Sequence, residues 1–270
     1  MIEECFTTPL TQDGCIYYKA EKDADDRAER KWSKLANCNP IAAATASSSE
    51  DDFVKYPHWI RRHIEGCTLL DAGCGYGRVA IPLLLENPNR LCLGVDASPV
   101  MLTKFRALAE KHGVQRRATL YCGNLTNLPI KNASFDCVFS CGVLLHLPYA
   151  ETEAVLDELF RVLKPGGRII LASSFPNLLN LEGLQNAAYH RLYSARNGPV
   201  RPYTRSAVRG LFRRYSHVQV FSASALLLPR QIGPIPLPFG TAIRWINTCG
   251  SSWIRNSGWF ASHHEVVAVK

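Results

Sequence analysis

The sequence predicts an α/β fold, a mostly parallel sheet covered by helices on both faces. Three observations lead there. From Asp52 onward, short apolar runs alternate with amphipathic stretches at helical spacing. The first run, Thr68-Leu69-Leu70-Asp71, passes directly into Gly73-Cys74-Gly75-Tyr76-Gly77, a strand-to-helix turn. The chain has 270 residues, 47% hydrophobic and 20% charged, which is enough for a substantial core and excludes a disordered or fibrous protein.

The elements follow in order. Glu21 to Lys34 is a dense charge mixture that reads as an exposed helix anchored by Trp32, and Ala42 to Asp52 reads as a linker of small residues. Asp52 to Ile64 is expected as a helix capped by Ser49 or the Asp51-Asp52 pair. Thr68 to Asp71 is a buried strand, and Arg78 to Glu86 a helix that tolerates Pro82 in its first turns. Leu91 to Val95 is the second strand; Pro99 to His112 is a helix with proline at its start. Ala118 to Cys122 and Phe135 to Ser140 are the next strands. Ala150 to Leu163 is helical from the spacing of Val155, Leu156, Leu159, Phe160 and Leu163. Lys164-Pro165-Gly166-Gly167 is read as the stop of that helix, and Arg168 to Ser173 as a fifth strand. Thr204 caps a further helix. Ser216 to Ala223 and His263 to Val269 are the last two strands, and Leu228 to Ser262, rich in Pro, Gly and Trp, has no regular element.

Composition narrows the class. Ten scattered cysteines without a CxxC pair suit reduced thiols in a cytoplasmic protein, and their spacing fits no zinc site. Met1 to Cys5 has no basic region followed by an apolar stretch, so no secretory signal is expected. No apolar run reaches the roughly 18 residues of a membrane-spanning helix. The net charge of +8 is unevenly placed. Met1 to His190 holds 20 basic and 22 acidic residues; Arg191 to Lys270 holds 11 basic residues and only Glu265 as an acid. That tail is either a solvated basic face or the attractor of an anionic partner.

The informative constellation begins at the glycine turn. Its spacing is GxGxG, with Arg78 where a dinucleotide fingerprint needs a third-position glycine, so a cofactor without a pyrophosphate suits it better. Asp96 ends the second strand 19 residues after Gly77, where a carboxylate can accept both hydroxyls of a ribose. Cys122-Gly123-Asn124-Leu125 ends the third strand. Asn132 to Leu147 and Arg161 to Ile170 supply the fourth and fifth pieces.

In these ordered pieces, over about Asp52 to Ser174, the chain resembles the class I S-adenosylmethionine-dependent methyltransferases, and within them the small-molecule, quinone-biosynthesis-like (type 11) group. The resemblance implies a Rossmann-like, mostly parallel seven-stranded sheet whose last strand is antiparallel. It implies an N-terminal cap over 1–51 and a methyltransferase domain over 52–270, with substrate-cover insertions at 176–215 and 225–262. The cofactor implied is S-adenosylmethionine, with S-adenosylhomocysteine as its product. Asp71, Gly73, Cys74, Gly75 and Gly77 would line its amino-acid end, with Asp71 near the ammonium. Asp96 would hold the ribose; Ala97, Ser98 and Met101 would flank the adenine. Asn124, where the family often has Asp, would meet the adenine amino group with Leu125 beside it. Ser140 would bring backbone groups to the methionine portion.

Methyl transfer needs alignment and exclusion of water more than bond-making groups, and no metal is called for. His146, just past the fourth strand, is the candidate general base, or else a packing residue beside the cofactor. Tyr17, Tyr18, His190, Arg201 and Tyr203 are candidates for holding an acidic or aromatic acceptor, or else surface anchors. The expected partner is a small-molecule acceptor. A nucleic acid drawn to the basic tail and a lipid-like acceptor reached by peripheral membrane association are the alternatives.

Overall fold

The computed structural model describes residues 2–7, 10–13, 16–19, 58–179, 184, 201–225, 231–232, 235–236 and 261–270. They divide into two compact units: Met1–Cys141 with Ala154–Ile170 and Lys270, and Gly142–Glu153 with Leu171–Val269.

The first unit holds strands β1 (Leu10–Asp13), β2 (Ile16–Lys19), β3 (Thr68–Ala72), β4 (Leu91–Asp96), β5 (Ala118–Cys122) and β6 (Phe135–Cys141), with the first half of β7 (Leu163–Pro176). Their order in the sheet is β1-β2-β5-β4-β3-β6-β7. Strands β2, β5, β4, β3 and β6 pair in parallel. Buried on both faces, β3, β4 and β6 read as unbroken apolar runs rather than alternating ones: Leu69, Leu70, Leu93, Val95, Val138 and Phe139 have no exposed surface. Helices flank the sheet. They are α1 (His58–Arg61), α2 (Ala80–Glu86), α3 (Pro99–Lys111) and α4 (Tyr149–Val162), whose later turns bury Val155, Leu156, Leu159 and Val162. Ser98 stops the chain from running straight from β4 into α3; its Oγ accepts the Met101 N–H at 3.3 Å.

The second unit continues β7 and adds β8 (Ser216–Ala225) and β11 (Ala261–Val269), in the order β7-β11-β8, with β8 and β11 antiparallel. Helix α5 (Arg205–Leu211) is capped by Thr204, whose hydroxyl accepts the Ala207 N–H at 3.1 Å. Phe175, Tyr203, Phe212 and Tyr215 form its aromatic core through ring contacts of 5.2 to 6.0 Å. Strands β5, β4, β3, β6, β7, β11 and β8 make the expected mostly parallel seven-stranded sheet with its antiparallel β8–β11 pair, so the fold class is as expected, and β1 and β2 extend the sheet to nine strands.

Four elements differ from the sequence reading. A hairpin, β1–β2, extends the sheet beyond β5 where only a peripheral cap was expected, and the 3-10 turn Ile2–Cys5 beside it buries Ile2. Helix α2 starts at Ala80 rather than Arg78, because Gly77 to Val79 is spent completing the glycine turn. Lys164-Pro165-Gly166-Gly167 does not close a helix. It opens β7, because the Gly166 N–H donates to the Lys270 carbonyl and the Lys270 N–H returns to Gly167. A short pairing of β9 (Gln231–Ile232) with β10 (Ile235–Pro236) falls in the stretch read as irregular. Of the earlier expectations, the helix over Glu21–Lys34 and the linker over Ala42–Asp52 lie outside the described residues, as does His190.

Candidate cofactor site

The carboxyl ends of β3, β4, β5 and β6 lie side by side, and the chain that leaves each of them carries one piece of the site. After Ala72 the N–H groups of Gly73 and Cys74 both donate to the Val95 carbonyl, at 2.8 and 2.9 Å, which folds the glycine turn onto the end of β4. Gly75 has φ +54°, and a Cβ built there would meet nothing within 4 Å. The turn therefore presents bare backbone to an open cradle. Gly77, at φ +83°, faces the other way: a Cβ there would come within 2.6 Å of the Phe105 ring of α3.

Asp96 clamps this turn. Its Oδ2 accepts the Gly75 N–H at 2.8 Å and its Oδ1 accepts the Ser98 N–H at 2.9 Å, so one carboxylate joins the glycine turn to the start of α3. Burial pushes its pKa up, and the N–H groups of Ser98 and Gly75 pull it down. Each oxygen keeps acceptor capacity for a further hydroxyl. The Asp96 carbonyl also accepts the Gly123 N–H at 3.1 Å, which draws the end of β5 to the same place.

Asp71 lies deeper, only 2% exposed, and its Oδ2 has no hydrogen-bond partner among the described residues. Burial raises its pKa to about 8, and the nearby Asp96 adds to the rise; the charge of Arg78 and the Ala80 N–H oppose it. Arg78, which the sequence reading noticed only as a departure from a fingerprint, reaches the end of β6, where Nη2 donates to Cys141 Sγ at 3.5 Å.

Cys74 is buried and its thiol is pushed well up by burial, so it packs rather than reacts. The Ser98 hydroxyl is occupied as the cap of α3, and Met101 is buried in the first turn. Ala97 has its carbonyl 3.9 Å from Cys122 Sγ. Asn124 is exposed, with its Oδ1 accepting the Thr126 N–H at 3.1 Å; Leu125 beside it is buried. Ser140 donates its hydroxyl to the Ala72 carbonyl at 2.6 Å, locking β6 to β3 beneath the turn. On the hairpin, the Tyr17 ring lies 5.9 Å from Phe6, and Tyr18 pairs through its backbone with Cys122.

These positions fall almost wholly within residues 69–167, which match the family described as "Methyltransferase domain". That match takes in the strand ends, the glycine turn and Asp96, and stops short of both flanks of the chain. The chain is 34% identical over 102 residues to a 24-methylenesterol C-methyltransferase 2 of Oryza sativa subsp. japonica, a match covering 38% of this chain and 27% of the relative. It is 36% identical over 110 residues to a malonyl-[acyl-carrier protein] O-methyltransferase of Herminiimonas arsenicoxydans, covering 41% of this chain and 38% of the relative. The chain thus spans well under half the length of either. The solved structure of a SAM-dependent methyltransferase from Archaeoglobus fulgidus shares the fold, with TM-score 0.56 at 16% identity over 83% of this chain and 95% of that one.

The cofactor of a methyltransferase domain of this kind is S-adenosylmethionine, and the residues present fit it. The open cradle at Gly75 leaves room that any larger residue would narrow, and the orphaned, buried Oδ2 of Asp71 lacks the cation that an amino-acid moiety carries. Among the described residues no group of three or more His, Cys, Asp or Glu is gathered to hold a metal ion.

The second unit carries the acceptor candidates His146, Arg201 and Tyr203. His146 closes the 3-10 turn Leu144–His146 and is half-buried. Arg201 fastens that turn: its N–H donates to the Leu145 carbonyl at 3.0 Å, and Nη1 to the His146 carbonyl at 3.3 Å. Tyr203 is buried, edge-on to Tyr149 and Phe175 at 5.1 and 5.2 Å, and its hydroxyl donates to Thr152 Oγ1 at 3.3 Å, the packing role that was the alternative to holding an acceptor. No helix among the described residues is long and apolar enough to cross a membrane.

Proposed function

We propose that the protein transfers the methyl group of S-adenosylmethionine to an O, N or C atom of a small-molecule acceptor bearing an anionic or aromatic group, by in-line displacement. The observation that carries this reading is the Asp96 clamp on Gly75, which aims a carboxylate and bare backbone into one cradle at the carboxyl edge of the sheet. S-adenosylmethionine supplies a methyl carbon already activated by positive sulfur, with a neutral leaving group. The chain's residues then have to bind, orient and exclude water. Asp96 holds the ribose hydroxyls through its free lone pairs, Asp71 the ammonium, and Asn124 with Leu125 the adenine. His146 takes the acceptor's proton where that proton is tightly held. The anionic character of the acceptor is supported by Arg201, Arg205, Arg209, Arg213 and Arg214, which stand in 201–225 without a single acidic residue.

The test is incubation with methyl-labelled S-adenosylmethionine and a panel of small carboxylic, phenolic and amino acceptors, with RNA and lipid vesicles as further arms. Label is expected on a small acid or phenol, and Asp96→Ala is expected to lower the rate at least tenfold. Label on RNA alone, or none on any acceptor, overturns the reading.

A further inference from the structure

The two carboxylates of the cofactor site are held unequally. In the parallel register of β3 and β4, Asp71 stands opposite Gly94, and Asp96 lies two residues beyond Gly94 on the same face. Strand spacing and rise put their Cα atoms roughly 8 Å apart. Gly94 places no side chain between them; Phe105 and Cys74 close over the gap. Asp96 is satisfied by two backbone N–H groups. Asp71 is the more deeply buried of the pair and has one oxygen without a partner among the described residues. The other titratable neighbours do not relieve it. Cys74 and Cys92 are buried thiols pushed well up by burial, and Arg78, the cation among the described residues whose charge opposes the rise at Asp71, also engages Cys141. An ionised carboxylate so placed, beside a second one, is costly, and a proton on it removes most of that cost.

We propose that Asp71 carries a proton in the free protein and releases it to solvent when the cofactor's ammonium group binds, so that cofactor uptake expels a proton. This rests on the reading of the site as one for S-adenosylmethionine. The O–H bond of the carboxyl breaks, its electron pair stays on oxygen, and the ligand's ammonium keeps its own proton and becomes the counter-ion. With the Asp71 pKa at about 8 in the free site, roughly nine-tenths of the protein is protonated at pH 7. Between pH 7 and pH 6 the affinity for the cofactor then falls about ninefold, because binding must displace a proton that is held more fully as pH drops.

The experiment is calorimetric titration of the full chain with S-adenosylhomocysteine at pH 7 in buffers of different ionisation enthalpy, repeated at pH 6. Wild type is expected to release close to one proton per site and to bind about ninefold more weakly at pH 6. Asp71→Asn, whose side chain is neutral at both pH values, is expected to release none and to bind equally at both. Binding by wild type without proton release overturns the proposal by itself, whether or not the variant folds. Release that persists in Asp71→Asn overturns it too, by assigning the proton to another group such as Asp96. Failure of S-adenosylhomocysteine to bind at millimolar concentration would overturn the cofactor reading beneath it.

Discussion

Alanine at Gly75 and alanine at Gly77 separate what the glycine turn does for the ligand from what it does for the fold. Both glycines have positive φ, +54° and +83°, so each substitution costs about 1–2 kcal/mol in backbone strain. At Gly77 the new methyl also meets Phe105 ring carbons at 2.6, 2.7 and 2.8 Å, and Phe105 is fully buried in α3. Overpacking of that kind adds about 1–3 kcal/mol, for a total of about 2–5 kcal/mol. Against a stability of about 5–15 kcal/mol, that loss lowers the melting temperature by several degrees more than at Gly75. At Gly75 the methyl enters open space, so the folded state tolerates it and the cradle does not. Thermal unfolding followed by circular dichroism, paired with S-adenosylhomocysteine calorimetry below the melting range, reads both effects. Gly75→Ala is expected to be the more stable variant and to bind at least tenfold more weakly than wild type, whereas Gly77→Ala is expected to melt earlier and keep most of its affinity. The reasoning fails if Gly77→Ala is as stable as Gly75→Ala, or if Gly75→Ala binds like wild type.

Asp96→Asn should bind S-adenosylhomocysteine at least tenfold more weakly, because one acceptor oxygen becomes a donor facing the Gly75 or Ser98 N–H; equal affinity in calorimetry would displace the ribose site. Asp136 accepts the N–H groups of Cys67 and Thr68 and an ion pair from Lys164 at 2.7 Å, which outweigh its burial and hold its pKa below the usual range. A depressed folded pKa gives stability that is complete above the unfolded value near 4 and is lost progressively as pH falls from there through the folded pKa. Melting of wild type should therefore exceed that of Asp136→Asn at pH 7, with a gap that narrows steadily as pH falls below about 4; a pH-independent gap would contradict the assignment. His264 is fully buried on β11, and burial, with Arg205 and His263 adding to it, lowers its pKa to about 4. Its neutral form stabilises fully above pH 6.5, and that stability drains away as pH falls toward 4, so His264→Phe should flatten the acid limb of the melting profile. Glu265, raised to about 7 by burial, works in the opposite sense, and only the variant comparison isolates His264.

The central strands were legible because burial on both faces leaves an uninterrupted apolar run with turn residues at each end, as in Leu91 to Val95 and Phe135 to Ser140. Asp71, the three glycines and Asp96 were legible because their spacing follows from a strand, a turn and a helix of ordinary length. Hairpin β1–β2 was not, because Leu10–Asp13 and Ile16–Lys19 are short and mixed in polarity, and their pairing with β5 depends on a partner about 100 residues away. The entry of Lys164–Gly167 into a strand was hidden for the same reason: locally the sequence stops a helix, and a distant backbone, that of Lys270, turns it into a strand end. At the site, the hydrogen bond from the Gly75 N–H to Asp96 joins residues 21 apart in the chain, and the approach of Arg78 to Cys141 joins residues 63 apart. Neither leaves a trace in residue spacing. Tyr203 follows the polar Arg201-Pro202, which gives no local sign of burial, yet its ring completes an aromatic core.

The most direct measurement is a side-by-side calorimetric titration of the purified chain with S-adenosylhomocysteine and NAD. One site for the sulfur nucleoside per chain, abolished or weakened at least tenfold in Asp96→Ala, together with no heat from NAD, is the result expected of a methyltransferase cradle clamped by Asp96. Uptake of NAD with indifference to the sulfur nucleoside would contradict it.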